Sequence, residues 1–168
     1  SYWDPPVVGV AFNTRIIHYM AKEELFKNPF FGWLIRQFGT FPVKRGSVDR
    51  AAVRQAIKEI KEGNPLGIFP EGTRNKTADT FLPFHDGSFK IAEKSGAPII
   101  PMTIVNSAAV FEDHFPKIKK ATVVIEYGKP IYLNEMSREE KKAIGTTVKA
   151  VIEETYFRNK EKYFGEAK

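Results

Sequence analysis

Short apolar runs and longer amphipathic stretches alternate along this chain. The short runs, rich in β-branched residues, predict strands at 15–22, 40–45, 65–70, 98–105 and 121–131. The longer stretches repeat apolar residues at helical spacing and predict helices at 4–12, 28–39, 47–63, 88–96 and 137–164. Because strands alternate with helices, we expect the α/β class, as a single domain with a mixed, largely parallel sheet flanked by helices.

The helix predicted at 28–39 has an unusually wide apolar surface. Its apolar residues cover more of the helix than one core-facing stripe requires: Phe30, Phe31, Trp33, Leu34, Ile35 and Phe38. Three basic residues lie near it in the sequence: Lys22, Lys27 and Arg36. This combination is typical of a helix that lies in a membrane interface. A helix buried on all sides would show the same apolar pattern.

Composition narrows the class of protein further. A chain of 168 residues with 42% hydrophobic residues is expected to form one folded domain over 1–168. The absence of cysteine excludes disulfides, zinc–thiolate sites and a cysteine nucleophile. The formal net charge of +6 suits an anionic partner such as phosphate, nucleic acid or an anionic membrane. No apolar run reaches the roughly 20 residues that a membrane-spanning helix needs.

In an open parallel sheet, ligands bind where strands end at their carboxyl side. Three predicted strands are followed by groups that could bind an anion: Lys22, the pair Lys44 and Arg45, and the segment Glu71–Arg74. Successive strand residues point to opposite faces, so only one of Lys44 and Arg45 can face a given site. If strands 40–45 and 65–70 were neighbours, Arg45 and Arg74 would converge. A solvated strand end is the alternative for Lys44 and Arg45.

The stretch "IFPEGTR" (68–74) is the most informative one for chemistry. An apolar strand ends at Pro70, and Gly72 then allows the backbone to approach a ligand closely. Thr73 can donate a hydrogen bond, and Arg74 offers a planar guanidinium suited to phosphate. The alternative is an ordinary turn in which a surface Arg74 pairs with Glu71.

Other chemistries find little support in the sequence. It contains no G-x-S-x-G elbow, no H-E-x-x-H motif and no Walker or dinucleotide glycine pattern. The histidines His18, His85 and His114 are scattered, and no metal site is predicted. His18 is expected to be a half-buried, hydrogen-bonded strand residue. His85 with Asp86 forms either a site pair or, more simply, a turn and helix cap. A nucleic-acid-binding domain is disfavoured because no basic stripe is interleaved with aromatic residues.

The motifs together resemble one family. "FPEGTR", preceded by "FGTFPVKR" and followed by "APIIPMTI", resembles the lysophosphatidic acid (1-acylglycerol-3-phosphate) acyltransferases, which carry an H-x-x-x-x-D motif. "AKEELFKNPFFGW" (21–33) is also similar to the family, so the resemblance covers nearly the whole chain. It implies the glycerolipid acyltransferase fold. It also implies transfer of a fatty acyl group from an acyl-carrier-protein or CoA thioester to lysophosphatidic acid, which gives phosphatidic acid for phospholipid biosynthesis.

The resemblance also implies roles for particular residues. In the family, a His removes the proton from the acceptor hydroxyl and the motif Asp orients that His, with no acyl-enzyme and no cofactor beyond the thioester co-substrate. By resemblance, Asp4 is the catalytic Asp, and the acceptor phosphate is held by Arg45, Glu71, Gly72, Thr73 and Arg74, with Lys22 as a lesser candidate.

The sequence departs from the family pattern at one point. The position five residues before Asp4 lies upstream of Ser1, and none of the three histidines present has an Asp five residues later. We therefore expect the motif His upstream of Ser1 and expect the 168 residues alone to be inactive. If the natural protein lacks that His, the chain is a non-catalytic module that binds lipid phosphate. Other acceptors, such as glycerol 3-phosphate, stay open. The family implies a location at the cytoplasmic face of a membrane, peripheral or anchored by an N-terminal segment.

Overall fold

The structure is a computed structural model that describes residues 4–12, 15–44, 49–72 and 80–165. Within these residues the helices are α1 (Asp4–Ala11), α2 (Pro29–Gln37), α3 (Arg50–Lys61), α4 (Asp86–Ser95) and α5 (Arg138–Phe164). The strands are β1 (His18–Lys22), β2 (Phe41–Val43), β3 (Leu66–Gly67), β4 (Met102–Val105) and β5 (Val124–Tyr127). Each predicted helix and strand is present, and the α/β class is confirmed.

The strands form two small sheets. In the first, β1 lies between β2 and β3 and pairs with both in parallel, with Lys22 opposite Val43 and His18 opposite Leu66. In the second, β4 and β5 pair antiparallel. The predicted largely parallel sheet is thus the three-stranded one, and the antiparallel pair forms a sheet of its own. The strands are shorter than the predicted runs, and β3 keeps only Leu66–Gly67 of the predicted 65–70.

Side-chain caps explain where the helices begin. The Asn28 side chain accepts a hydrogen bond from the Phe31 N–H at 2.9 Å, and Pro29 occupies the first turn, where its missing N–H costs nothing. Ser137 and Glu140 form a reciprocal capping box at the start of α5.

Asp49 joins the start of α3 to the end of β2. Its carboxylate accepts hydrogen bonds from the Ala51 and Ala52 N–H groups and from the Lys44 N–H, all at 3.0 Å. The bonds from Ala52 and Lys44 hold the pKa of the Asp49 carboxyl below its usual range. The residue that caps α3 thus also fixes the position where β2 ends.

The main core lies between α4 and α5. Its buried residues are Phe89, Leu133, Ile144 and Val148. Partly buried neighbours pack around them: Phe84, Ala92, Ile99, Ile131, Met136 and Ile152. On α3, Ala52 and Ala56 are buried, and α3 packs against both β1 and α4. In the described part of the chain, no helix combines the length and the hydropathy needed to cross a bilayer.

A polar cluster holds β1 against α3 at the amino end of the parallel sheet. His18 Nδ1 lies 2.9 Å from Glu59 Oε2, and Asn64 donates to the same oxygen at 2.9 Å. Gln55 donates to Glu59 Oε1. The His18 and Glu59 side chains are only 19% and 14% exposed, which confirms the predicted half-buried, hydrogen-bonded His18. Glu59 is the centre of this cluster, because every bond in it ends on its carboxylate.

Glu59 should make folding stability depend on pH in the acid range. Burial alone would raise the pKa of its carboxyl, but hydrogen bonds from Asn64 and Gln55 and the adjacent His18 hold it below the ordinary value of 4.5. A lowered pKa stabilises the fold above the unfolded value, and this contribution is lost as pH falls through the folded value. We expect Glu59→Gln to flatten the fall in unfolding free energy between pH 7 and about pH 3.

Urea unfolding at a series of pH values measures this effect. Glu62→Gln is the matched control, since Glu62 follows the same helix with a 52% exposed side chain. Wild-type and Glu59→Gln curves that run parallel down to low pH would contradict the assignment.

Candidate functional site

The parallel pairing of β1 brings three strand ends to one edge of the sheet. Lys22 is the last residue of β1, and its side chain is exposed beside the end of β2. Lys44 follows β2 and is also exposed. The turn that contains Glu71 and Gly72 follows β3 on the other side of β1. The described parts of all three predicted anion-binding segments therefore follow strands that end along the same carboxyl edge.

The order of the strands changes one expectation. Strands β2 and β3 are not neighbours, because β1 separates them. With adjacent strands about 4.8 Å apart, the ends of β2 and β3 are roughly 10 Å apart. Lys22, the lesser candidate from the sequence, stands on the strand between them. Arg45, Thr73 and Arg74 lie outside the described residues, so their roles stay predictions.

The turn after β3 has a defined geometry. The Gly72 N–H donates to the Phe69 carbonyl at 3.0 Å, and the His85 N–H donates to the Pro70 carbonyl at 2.8 Å. Gly72 has φ +65°, a left-handed conformation that favours glycine. A Cβ at Gly72 would lie 2.9 Å from Cδ2 of the His85 ring. The Gly72 backbone therefore lies close to His85, and the predicted approach of a ligand to this glycine stays a prediction.

Glu71 is turned toward the protein. Its carboxyl group accepts a hydrogen bond from the Leu82 N–H and lies within the field of Lys149 on α5. Burial raises the pKa of this carboxyl, although the Leu82 bond and the Lys149 charge oppose the shift. The Leu82 hydrogen bond ties the turn to the returning loop. A carboxylate repels phosphate, so Glu71 suits a positioning role in the turn better than direct contact with the phosphate.

Asp4 lies at the first turn of α1, as the sequence predicts, and its Oδ1 atom is buried. Nearby is Tyr19, a residue that the sequence motifs did not single out. Burial raises the pKa of the Tyr19 hydroxyl to about 12, with smaller contributions from Tyr127 and Asp4. This hydroxyl is therefore protonated at neutral pH.

Tyr19 connects Asp4 with the turn after β3. Its ring stacks on Phe69 with centroids 6.1 Å apart, and a Cβ at Gly67 would collide with the ring at 2.3 Å. Among the described residues no group hydrogen-bonds the buried Tyr19 hydroxyl. Strand alternation in the sequence could have identified Tyr19, because it places this residue on the opposite face of β1 from His18.

In the described residues, His85 and His114 do not belong to a catalytic or metal-binding cluster. His85 is the N-cap residue of α4, although its side chain makes no capping hydrogen bond, and Asp86 lies in the first helical turn. Residues Glu112–His114 form a short 3₁₀ turn. Within 4–12, 15–44, 49–72 and 80–165, no three His, Asp or Glu side chains group closely enough to hold a metal ion.

Comparison with known proteins identifies the family. The acyltransferase family model matches residues 1–105, which include every candidate site residue. The chain belongs to the acyltransferase family.

Individual relatives of this acyltransferase domain agree with the resemblance seen in its motifs. It is 33% identical over 133 residues to a 1-acyl-sn-glycerol-3-phosphate acyltransferase of Bacillus subtilis, covering 79% of the chain and 63% of that protein. It is 34% identical over 135 residues to one of Borreliella burgdorferi, covering 79% of the chain and 54% of that protein.

A solved structure supports the fold directly. The crystal structure of the 1-acyl-sn-glycerophosphate (LPA) acyltransferase of Thermotoga maritima matches with a TM-score of 0.66 and 28% identity, covering 83% of this chain and 55% of that one. The chain thus spans a little over half the length of this solved relative. The resemblance and the fold class are confirmed.

Gly72 should be intolerant of any side chain. Gly72→Ala would force an L-residue into the left-handed region, at about 1–2 kcal/mol, and would also push a methyl group into His85. Gly96→Ala is the matched control, because Gly96 has φ +76° with no atom within 4 Å of the place that a Cβ would occupy. We expect Gly72→Ala to lower the unfolding free energy by more than Gly96→Ala in urea unfolding. Equal losses would show that His85 does not restrict the turn.

Proposed function

We propose that this protein transfers a fatty acyl group from an acyl-carrier-protein or CoA thioester to the free hydroxyl of lysophosphatidic acid, giving phosphatidic acid. The observation that supports this most is positional. Asp4 lies near Tyr19, whose ring stacks on Phe69 just before the Glu71–Gly72 turn, within the segment that matches the acyltransferase family. The relatives named above are called acyltransferases for this acceptor.

The proposed chemistry needs a base and a phosphate site. A His held by Asp4 takes the proton of the acceptor hydroxyl, the oxygen attacks the thioester carbonyl, and the thiol of the carrier leaves with a proton. The phosphate of the acceptor is held at the carboxyl edge by Lys22, Arg45, Thr73 and Arg74, with Gly72 allowing close approach of the backbone. Glu71 fixes the turn that leads into Thr73 and Arg74. No cofactor is required beyond the thioester co-substrate.

The base distinguishes this proposal from a binding module. No histidine in the sequence stands five residues before an Asp, so we expect the 168 residues alone to be inactive. A His five positions before Asp4 in the natural protein favours the enzyme. Any other residue at that position favours a non-catalytic module of the same fold that binds lipid phosphate.

The experiment is an acyl-transfer assay on a form of the protein that has a His five positions before Asp4. Lysophosphatidic acid and glycerol 3-phosphate serve as alternative acceptors, and acyl-carrier-protein and CoA thioesters as alternative donors. Formation of phosphatidic acid supports the proposal. Transfer only to glycerol 3-phosphate would show that this compound, and not lysophosphatidic acid, is the acceptor. No transfer to either compound would favour the binding module. The proposed location is the cytoplasmic face of a membrane.

Asp4→Asn should reduce turnover. The amide keeps the shape of the carboxylate but cannot stabilise a protonated His, so we expect kcat to fall by about 10²- to 10⁴-fold. Because the phosphate site is elsewhere, KM for the acceptor should change little. Steady-state kinetics measures both. Asp113→Asn, at an exposed position of a 3₁₀ turn, is the control. A kcat for Asp4→Asn equal to that of the control would remove Asp4 from the mechanism.

Arg74→Ala should instead weaken binding of the acceptor. Loss of a charge-assisted hydrogen bond to phosphate costs about 1.5–3 kcal/mol, which corresponds to a rise in acceptor KM of roughly 10- to 100-fold. Arg54→Ala removes the same charge from an exposed position on α3 and serves as the control. Unchanged acceptor KM in the Arg74→Ala variant would end its phosphate role.

A further inference from the structure

Helix α2 presents a group of large aromatic side chains to solvent. The exposed fractions are 71% for Phe30, 42% for Phe31, 58% for Trp33 and 58% for Phe38, the residue that follows the helix. We call these four residues the α2 aromatic surface. Among the residues that the structure describes, this helix is therefore not covered on all sides. Grouped exposed aromatic residues of this kind mark interaction surfaces rather than ordinary solvent-facing positions.

The opposite side of α2 fixes this orientation. Gly32 is the buried residue of the helix, and a Cβ there would lie 2.9 Å from the Phe26 carbonyl oxygen. The helix therefore packs closely on the preceding 3₁₀ turn, Glu23–Phe26, through its glycine side. The Asn28 cap fixes where the helix begins. Neither contact covers the aromatic surface, so the exposed rings are held outward by the packing of the backbone.

The charges around the surface favour an anionic partner. Helix α2 contains no acidic residue, and its one charged residue, Arg36, extends over the Phe26 ring at 4.7 Å. Lys22 and Lys27 are exposed just before the helix. Glu23 and Glu24 oppose them on the 3₁₀ turn, so that 22–38 carries three basic against two acidic residues, a net charge of +1. The whole chain is at +6.

This composition fits a lipid surface better than a protein groove. Phe and Trp enter the boundary between headgroups and acyl chains, while flanking Lys and Arg remain at the anionic headgroups. The surface is also close in the sequence to the candidate site, because Lys22 ends β1 and the 3₁₀ turn then leads directly into α2. A bilayer in contact with α2 would lie near the edge where the acceptor phosphate is expected.

We propose that the α2 aromatic surface inserts into the interfacial region of an anionic lipid bilayer and positions the carboxyl edge of the sheet at that bilayer. The proposed binding is supported by the exposed rings and by the basic residues close to them. Its use in delivering the acceptor rests on the proposed function.

Vesicle co-flotation of the purified protein tests the binding. The vesicles are an equimolar mixture of phosphatidylglycerol and phosphatidylcholine, and pure phosphatidylcholine vesicles should bind less. We expect Phe30→Ser with Trp33→Ser to lower the partition coefficient on the order of tenfold. The control is Phe157→Ser with Tyr163→Ser, which removes two rings exposed by 46% and 52% from another helix, α5. Lys162 lies 4.8 Å from the Tyr163 ring, so this control also has a basic neighbour.

The outcomes distinguish a lipid bilayer from a second copy of the chain as the partner of the α2 aromatic surface. Loss of binding in the α2 variant with binding retained in the control supports the proposal. Equal loss in both variants, no loss in either, or no binding by the wild type overturns it. A wild-type dimer that the α2 variant abolishes, without vesicle binding, would replace the bilayer with a second copy of the chain.

A fluorescence measurement covers the case in which the double variant fails to fold. The sequence has two tryptophans, so Trp3→Phe leaves Trp33 as the reporter. A blue shift on adding the anionic vesicles, with quenching by brominated lipid, supports insertion. An emission spectrum that the vesicles leave unchanged overturns it.

The acyl-transfer assay separates this inference from the proposed function. The α2 variant should lose transfer to a long-chain acceptor in vesicles but keep transfer to a short-chain acceptor dissolved in water. If the protein binds vesicles through α2 but transfers no acyl group, the inference about the α2 aromatic surface holds and the proposed function is wrong. Transfer that is independent of vesicle binding retains the function and overturns the delivery role.

Discussion

The parallel pairing of β1 with both of its neighbours is the constraint on which the candidate site depends. In this register three chain segments end at the same edge of the sheet. The other end of β1 is held by the carboxylate of Glu59, which collects hydrogen bonds from His18, Asn64 and Gln55. Asp49 fixes the end of β2 in the same way. A slip of β1 by one residue would reverse the directions of its side chains and separate Tyr19 from Asp4 and Phe69.

The turn after β3 depends on parts of the chain that are distant in sequence. His85 closes it from one side through a backbone hydrogen bond and through its ring, which lies against Gly72. Glu71 is held by the Leu82 N–H and by the charge of Lys149 on α5. Helix α5 lies beyond the 105 residues that match the family model. The C-terminal helix therefore places a favourable charge near Glu71 of the matched segment while supplying none of the predicted ligands.

Helix α2 combines a contact that stabilises the fold with the aromatic surface for which we propose a lipid partner. Gly32 allows close packing on the 3₁₀ turn, which stabilises the helix from its inner side. The same geometry leaves Phe30 and Trp33 in water, an arrangement that costs free energy until an apolar environment accepts the rings. The carboxyl edge of the sheet and this surface are adjacent in the sequence, because Lys22 ends β1 and a single 3₁₀ turn then leads into α2.

The sequence by itself determined the elements, the class and the identity of the motifs. Period-2 and period-3.6 patterns depend on local geometry, and caps such as Asn28 act on neighbouring residues, so they can be read without a tertiary structure. Strand order is decided by packing between distant segments, and the tertiary structure alone placed β1 between β2 and β3. Three further placements could be known only from the tertiary structure: the inward position of Glu71, the proximity of Tyr19 to Asp4, and the exposure of α2. Each depends on which distant residues cover a given side chain.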